Sequence, residues 1–196
     1  MTLRTLTVEE FTEALAARSP VPGGGAVAAV TLAHAAALAA MVLEFTVGKP
    51  RHAAHDAGHR AALARLAELR RNALALADRD AAAYGTLNAM WKLPSGHADR
   101  VIGWDRAVAE AIDAPQAILD AAAELAGHCR VLAGTTNPNL ASDLAIAEDL
   151  ARAAARAAAH NVAVNLPSVA DVTDRGTRQE RMDRALAEAG AGHGAA

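Results

Sequence analysis

Two aspartates inside a helical stretch are the first residues of this sequence whose type and position suit chemistry. They lie in ADRDAAAY (77–84), beside an apolar stripe, where aspartate is a poor helix former. Asp80 and Tyr84 are four residues apart and share one helix face, whereas Asp78 points elsewhere. A carboxylate on that face can take a proton from water as a general base. Two solvated aspartates flanking Arg79 are the plainer interpretation of this pattern taken alone.

Three consecutive glycines form a second unusual feature. They are Gly23, Gly24 and Gly25 in SPVPGGGAVAAV (19–30), directly before a long alanine-rich run. Glycine is costly inside a helix and useful where the backbone bends sharply or approaches another group closely. A helix start offers unpaired N–H groups and the positive end of the dipole, so glycines there favour the approach of an anion or a flat polar ring. A tight turn at a close helix crossing is the alternative, and a P-loop is excluded because no Gly-Lys-Ser/Thr follows at the required spacing.

A polar loop, TTNPNLASD (135–143), collects four further candidates. Asn137, Asn139, Ser142 and Asp143 come shortly before a predicted helix. Ser142 or Asp143 can be the N-cap of that helix, and Asn-Pro commonly forms turns. A cap needs only one such residue, so the remaining side chains are available to bind a ligand.

Two asparagines in HNVAVNL (160–166) are also candidates. Asn161 and Asn165 are four residues apart on a helix otherwise made of alanine and valine. A buried polar pair must form hydrogen bonds. The partner is either another helix or a ligand.

Three histidines have a spacing that could place them on one face. His52, His55 and His59 follow the pattern H-x2-H-x3-H at a helix start. Only Asp56 accompanies them as a possible metal ligand. We interpret them as exposed surface histidines and expect no metal site.

The composition limits the class of protein. The 196 residues are 53% hydrophobic, with many alanines, and only 3% aromatic, which predicts one domain with a core of small residues. The net charge of −3 comes without the basic stripe of a nucleic-acid-binding protein. The single cysteine, Cys129, allows no internal disulfide and is expected to be buried. The N-terminus lacks an apolar signal segment, and we expect a cytoplasmic protein.

One apolar segment needs separate treatment. The stretch 26–47 is long enough to cross a membrane. It consists mostly of alanine and contains His34 and Glu44, and polar groups are costly in lipid. We therefore predict a helix buried within the protein, or at a subunit interface, and no membrane association.

The remaining pattern is helical throughout. A capping box at Thr7 and Glu10 predicts a first helix over about 8–17. Further helices are predicted over about 53–93, 101–113, 115–132, 144–164 and 177–189, and no alternating strand pattern is present. The sequence predicts an all-α, single-domain helical bundle over 1–196 with a long buried alanine-rich helix. The tail from about 190 is expected to fray.

These segments, in this order, resemble the formiminotransferase-cyclodeaminase C-terminal family. The matching motifs span roughly residues 8–170 and are SPVPGGGAVAA, VGK (47–49), DRDAAAY, KLP (92–94), NPNLASD and NVAVNL. After the GK of the second motif the family usually continues with Lys and Tyr, whereas this chain has Pro-Arg-His. The resemblance implies an all-α homodimer with folate bound in a cleft between helices. It also implies one-carbon chemistry on tetrahydrofolate with no metal and no cofactor.

The resemblance gives the motif residues hypothetical roles. The implied reaction is hydrolysis of 5,10-methenyltetrahydrofolate to 10-formyltetrahydrofolate, with Asp80 or Asp143 as the carboxylate near the reacting carbon. Lys49 is a candidate proton donor or an anchor for the glutamate tail of folate. The residues expected to bind substrate are Ser19, Pro22, Gly23, Gly24, Gly25, Asp78, Tyr84, Lys92, Asn137, Asn139, Ser142 and Asn165.

Three other functions remain open on the sequence. The same acid and base could serve a formiminotetrahydrofolate cyclodeaminase, which releases ammonia. A diverged member of the family could act on another small molecule. A helical scaffold without enzymatic activity would need the glycines for packing only, and would leave Asp80 and Asp143 solvated.

Overall fold

Six α-helices and four short 3₁₀ helices make up the regular structure of residues 2–191, the part of the chain that this computed structural model describes. The α-helices are α1 (Val8–Ala16), α2 (Gly24–Glu44), α3 (Asp56–Trp91), α4 (Ala98–Leu132), α5 (Ala141–Asn165) and α6 (Val172–Gly190). The 3₁₀ helices are Leu3–Thr5, Pro50–His55, Pro138–Leu140 and Leu166–Ser168. No strand occurs in this range, and the all-α prediction is confirmed. The expected tail lies mostly outside the described residues.

The helix α2 is the centre of the bundle. It packs against α3, α4 and α5, and its alanines contribute much of the buried surface. Small side chains such as Ala28, Ala35 and Ala36 are completely buried, so neighbouring helices can approach α2 closely. The long buried alanine-rich helix is therefore confirmed. By length and composition alone α2 could cross a membrane, but most of its apolar window is buried inside the bundle, as in the core helix of a soluble protein.

The sequence predicted a break near Pro115, and this prediction is wrong. The helix α4 continues through Pro115 from Ala98 to Leu132. Proline lacks the N–H that would bond the carbonyl of Ala111, four residues earlier. The side chain of Asn165 replaces that donor, since its Nδ2 donates to the Ala111 carbonyl at 3.0 Å. A side chain 50 residues after Pro115 thus supplies the hydrogen bond that the proline cannot make.

Replacing Asn165 with leucine should therefore destabilise the fold. The Asn165→Leu variant leaves a buried carbonyl without a donor, which costs about 1–3 kcal/mol in the free energy of unfolding. Urea denaturation measures the loss. In a Pro115→Ala background the restored N–H of residue 115 can bond the Ala111 carbonyl, so the same substitution should cost clearly less. Equal costs in the two backgrounds would contradict this account of the helix.

The histidines at the start of α3 also differ from the prediction. His52 and His59 are buried, and only His55 is exposed. His59 reaches the loop after α4, where its Nε2 lies 3.1 Å from the Thr135 hydroxyl. Burial lowers the pKa of His59, and the neighbouring rings of His55 and His52 act in the same direction. Within residues 2–191, no cluster of histidine, cysteine or acidic side chains is arranged to hold a metal ion.

Cys129 behaves as predicted. It is a buried side chain on α4, and burial raises the pKa of its thiol to about 12. A thiol with such a pKa is almost entirely protonated at neutral pH, so it acts as a small apolar group rather than as a nucleophile.

Candidate active site

A cavity of ≈ 240 Å³ opens at the N-terminal end of α2. The turn before α2 forms one wall, and α3, α4 and α5 form the others. The lining residues are Pro20, Val21, Gly23, Gly24, Gly25, Asp80, Tyr84, Ala111, Asn161 and Asn165. Residues from three of the predicted motif segments and the middle of α4 thus meet in one place.

The carboxylate of Asp80, a residue of α3, lies against the first turn of α2. The N-cap residue of this helix is Gly23, which has no side chain to cap the N–H groups. The Ala26 N–H donates a hydrogen bond to the Asp80 carboxylate instead. A carboxylate from α3 thereby replaces the missing N-cap side chain. It also interacts favourably with the positive end of the α2 dipole.

This contact requires a glycine at position 25, the second residue of α2. A Cβ atom on Gly25 would overlap the Asp80 carboxylate far inside van der Waals distance. A Cβ on Gly24 would meet only the Asn161 amide at 3.5 Å, which is an ordinary contact. The sequence hypothesis placed a ligand against the bare backbone of these glycines. At Gly25 the group that approaches the backbone is the protein's own carboxylate.

The protonation of Asp80 is tuned by opposing effects. Burial raises the pKa of its carboxyl to about 6, and the hydrogen bond from Ala26 works against this rise without cancelling it. A carboxylate with a pKa near 6 is mostly ionised at neutral pH and is basic enough to accept a proton from an attacking water. Its interior position also strengthens its attraction for positive charge.

The other polar side chains of the cavity come from α3 and α5. Tyr84 lies one turn beyond Asp80 and makes an edge contact with Trp91, with ring centroids 6.2 Å apart. Asn161 and Asn165 donate their Nδ2 groups to backbone carbonyls of Ala157 and Ala111. Within residues 2–191 no donor occupies either Oδ1, so both amide oxygens remain acceptors. The sequence hypothesis carried only Asn165 into the site, although the four-residue spacing of the pair also pointed to Asn161.

Asp78 lies outside the cavity. Its carboxylate accepts a hydrogen bond from the Leu3 N–H and forms an ion pair with Arg4. The two neighbouring aspartates of one motif therefore have different environments, as the helical geometry predicted. Asp78 fastens the N-terminal 3₁₀ helix to α3, and the structure does not bring it to the candidate site.

The Asp78→Asn variant should consequently retain activity. Asparagine keeps an acceptor for the Leu3 N–H and loses only a half-exposed ion pair, so we expect kcat/KM within about twofold of wild type and less than about 1 kcal/mol of lost stability. Steady-state kinetics of the purified variant measures this. A loss of kcat/KM as large as that of the matching change at Asp80 would contradict the separation of the two carboxylates.

A second polar group lies at the opposite end of α2. The Thr46 hydroxyl accepts a hydrogen bond from the Asn137 N–H at 3.0 Å and so connects the 133–140 segment to the end of that helix. Asn137 is half-buried in this loop, Asp143 is half-buried in the first turn of α5, and Lys49 is exposed three residues after Thr46. We call Lys49, Asn137, Asn139, Ser142 and Asp143 the loop cluster.

The distance between the two groups follows from helix geometry. The 21 residues of α2 span about 30 Å, and Asp143 precedes Asn161 by 18 residues on α5, which is about 27 Å. Within one chain, Asp80 and Asp143 therefore cannot flank the same substrate carbon. The hypothesis that Lys49 donates a proton beside Asp80 fails within one chain for the same reason.

Three remaining predicted binding residues lie outside the cavity lining. The Ser19 hydroxyl donates to the Val21 carbonyl at 2.8 Å within the turn. Pro22 is buried behind the turn and follows a cis peptide bond. Lys92 is exposed at the end of α3, twelve residues or about 18 Å beyond Asp80.

Comparisons with known proteins agree on one family. The sequence profile of the family described as Formiminotransferase-cyclodeaminase matches residues 7–184. The chain is 32% identical to the methenyltetrahydrofolate cyclohydrolase of Methylorubrum extorquens over 189 residues, covering 94% of this chain and 91% of that protein. It is 28% identical to the formimidoyltransferase-cyclodeaminase of Gallus gallus, covering 95% of this chain and 35% of that protein. The crystal structure of formiminotetrahydrofolate cyclodeaminase from Thermotoga maritima superimposes with a TM-score of 0.89 at 30% identity, covering 96% of this chain and 92% of that one.

Proposed function

This chain belongs to the formiminotransferase-cyclodeaminase family, and on that basis we propose that it is a cytoplasmic enzyme that hydrolyses 5,10-methenyltetrahydrofolate to 10-formyltetrahydrofolate. The relative from Methylorubrum extorquens, which is matched over nearly its whole length, carries the name of this activity. The similarity to this relative indicates the reaction but does not indicate which residues carry it out. The residue assignment rests on the Asp80 cavity.

The positive charge of the substrate suits a carboxylate such as that of Asp80. Methenyltetrahydrofolate carries a delocalised cation across N5, the bridging carbon and N10. A carboxylate beside that carbon stabilises the bound cation and then accepts a proton as water adds. N5 must then leave as an amine, which requires a proton. The same carboxyl, protonated by the first step, is positioned to return that proton.

The cavity walls match the pterin part of the substrate. A pterin presents a ring N–H and an exocyclic amino group on one edge, and both need acceptors. The free Oδ1 atoms of Asn161 and Asn165, two residues of the cavity lining, are such acceptors. The ring of Tyr84 adds an apolar surface to the same cavity. The reaction needs only water and these groups, so we propose no cofactor.

The decay of methenyltetrahydrofolate absorbance tests the function. Purified protein should accelerate the decay well above the uncatalysed rate in a buffer of low intrinsic catalysis. Formiminotetrahydrofolate is the second substrate to try, because the structurally similar protein from Thermotoga maritima carries the name of a cyclodeaminase. Ammonia release with that substrate alone would assign the chain to deamination. Inertness toward both would contradict folate chemistry at this site.

We also propose that the protein is a homodimer that associates with neither membrane nor nucleic acid. Its net charge of −3 differs from the basic balance that is typical of nucleic-acid-binding domains. One side of α2 remains incompletely covered by the chain itself, and α1 contributes no buried residue. An apolar surface that includes part of the central helix is typical of an interface between subunits.

A further inference from the structure

The lining of the Asp80 cavity contains an asparagine whose amide orientation is fixed by its contacts. The Nδ2 of Asn165 donates to the Ala111 carbonyl and to the Asn161 carbonyl, each at 3.0 Å. An amide nitrogen carries two N–H groups, so both donors of this side chain are used. The reversed orientation would place the amide oxygen against two carbonyl oxygens and would make neither bond. The nitrogen of Asn165 therefore faces the helix backbones.

The oxygen of the same amide is left for the cavity. Within residues 2–191 the Oδ1 of Asn165 accepts no hydrogen bond, yet it is not sealed from solvent. The residue is only 7% exposed, and the opening that it lines is the Asp80 cavity. With its nitrogen occupied, Asn165 offers a bound molecule a hydrogen-bond acceptor and no donor.

One of the two carbonyls is open only because of Pro115. In an uninterrupted helix the N–H of residue 115 would bond the carbonyl of Ala111, four residues earlier. Proline has no N–H, so this carbonyl stays open while α4 continues to Leu132. Ala111 itself belongs to the cavity lining. Pro115 thus leaves an open acceptor where α4 borders the site.

Stability alone does not favour a proline at this position. Proline is the least favourable residue inside a helix, because it removes a hydrogen bond and its ring crowds the preceding turn. An alanine at position 115 would bond the Ala111 carbonyl without help from another helix. The conflict between residue and helix lies beside the candidate active site, and such local conflicts are expected where function requires them.

We propose that Pro115 is a positioning residue for substrate binding, because the carbonyl that it frees holds the Asn165 amide with its oxygen toward the cavity. Pro115 acts through Asn165 and does not itself touch the substrate. The oxygen selects a ring whose edge carries N–H donors, and a pterin has such an edge. This choice of ring rests on the proposed function, whereas the orientation of the amide does not.

The Pro115→Ala variant tests the proposal in the intact enzyme. Its restored N–H occupies the Ala111 carbonyl, so the Asn165 amide loses one of its two acceptors and can turn its oxygen away from the cavity. The loss of one hydrogen bond to the substrate should raise KM for methenyltetrahydrofolate about 3–10-fold. The kcat should stay within about twofold, because Asp80 lies on α3 and keeps its position. A proline that only shaped α4 would leave KM unchanged.

A backbone ester separates the missing N–H from the proline ring. Lactic acid, the α-hydroxy analogue of alanine, can be inserted at position 115 by nonsense suppression. It has the methyl group of alanine but, like proline, no N–H, so the Ala111 carbonyl stays open. The ester variant should therefore keep KM within about twofold of wild type. A KM raised equally in the ester variant and in Pro115→Ala would overturn the proposal.

The orientation of the amide is measured without substrate by hydrogen exchange followed with NMR. Both side-chain N–H protons of Asn165 are hydrogen-bonded in the wild-type protein, so they should exchange slowly with water. Their resonances are identified by their absence in Asn165→Leu. In Pro115→Ala at least one of them should exchange about tenfold faster or more, and the ester variant should exchange like wild type.

The outcomes distinguish this inference from the proposed function. An unchanged KM in Pro115→Ala, or unchanged exchange of the Asn165 amide, would overturn the inference and leave the proposed hydrolysis untouched. If the wild-type protein is inert toward folates, the proposed function is wrong. The exchange measurement then decides by itself whether Pro115 orients Asn165.

Discussion

Replacing Asp80 with asparagine should lower kcat/KM for methenyltetrahydrofolate by about 10²–10⁴-fold, the usual contribution of a positioned general base. Asparagine has nearly the same shape and can still accept the hydrogen bond from the Ala26 N–H, so the cavity should remain intact. It cannot accept a proton from water, nor does it carry the charge that stabilises the cationic substrate. Steady-state kinetics gives the loss, with Asp78→Asn as the matched control on the same helix.

The same substitution should increase stability. Burial raises the pKa of Asp80 from 3.8 to about 6, so the folded protein disfavours the charged form. This penalty is absent below about pH 4, grows as the pH rises between the two pKa values, and is complete above about pH 6. The Asp80→Asn variant should gain about 1–2 kcal/mol at pH 7.5, after allowance for the partial exposure of the side chain, and nothing at pH 4.

Urea denaturation at these two pH values measures the gain. A variant that is both inactive and more stable would identify Asp80 as a residue kept for function at the expense of stability. A variant that is inactive and less stable at pH 7.5 would instead make Asp80 a structural cap of α2.

Gly25→Ala is the second substitution with a large expected effect. The added Cβ overlaps the Asp80 carboxylate, so either the aspartate leaves its position or α2 shifts. We expect a loss of about 1–3 kcal/mol in the free energy of unfolding, as for overpacking in a core. A displacement of the carboxylate by about 1 Å should also lower kcat/KM by about 10²-fold or more.

Two further variants show whether the overlap with Asp80 causes the effect of Gly25→Ala. Gly176→Ala, within α6 and with open space around its Cβ, should leave activity unchanged and raise stability by up to about 1 kcal/mol. In an Asp80→Ala background the overlap at Gly25 disappears, so Gly25→Ala should no longer destabilise the protein. Additive costs in the double variant would show that the two residues do not share this contact.

The local features of the fold were predictable because local interactions determine them. The capping box of α1 is present as predicted, with the Thr7 side chain and Glu10 bonding each other's backbone N–H groups. Helical spacing likewise separated Asp80 from Asp78. The glycines correctly indicated a close approach to the backbone, but the approaching group is 55 residues away in sequence and no local pattern identifies it.

The errors share a physical cause, since each depends on a contact between distant segments. Pro115 looks like a helix boundary until Asn165 provides the missing donor. His59 looks like a surface residue until the Thr135 loop covers it. The family motifs suggested that Asp80 and Asp143 belong to one site. The length of α2 places these two residues far apart within one chain. The distance between two such residues depends on how the helices pack, and the order of residues in the sequence does not give it.

The pH dependence of kcat/KM for methenyltetrahydrofolate hydrolysis tests the central claim, that the buried Asp80 carboxylate is the base, most directly. The account predicts a tenfold fall per pH unit below about pH 6, a plateau above it, and the loss of this transition in Asp80→Asn. A profile without a transition between pH 5 and 7, or the same transition in wild type and variant, would contradict it.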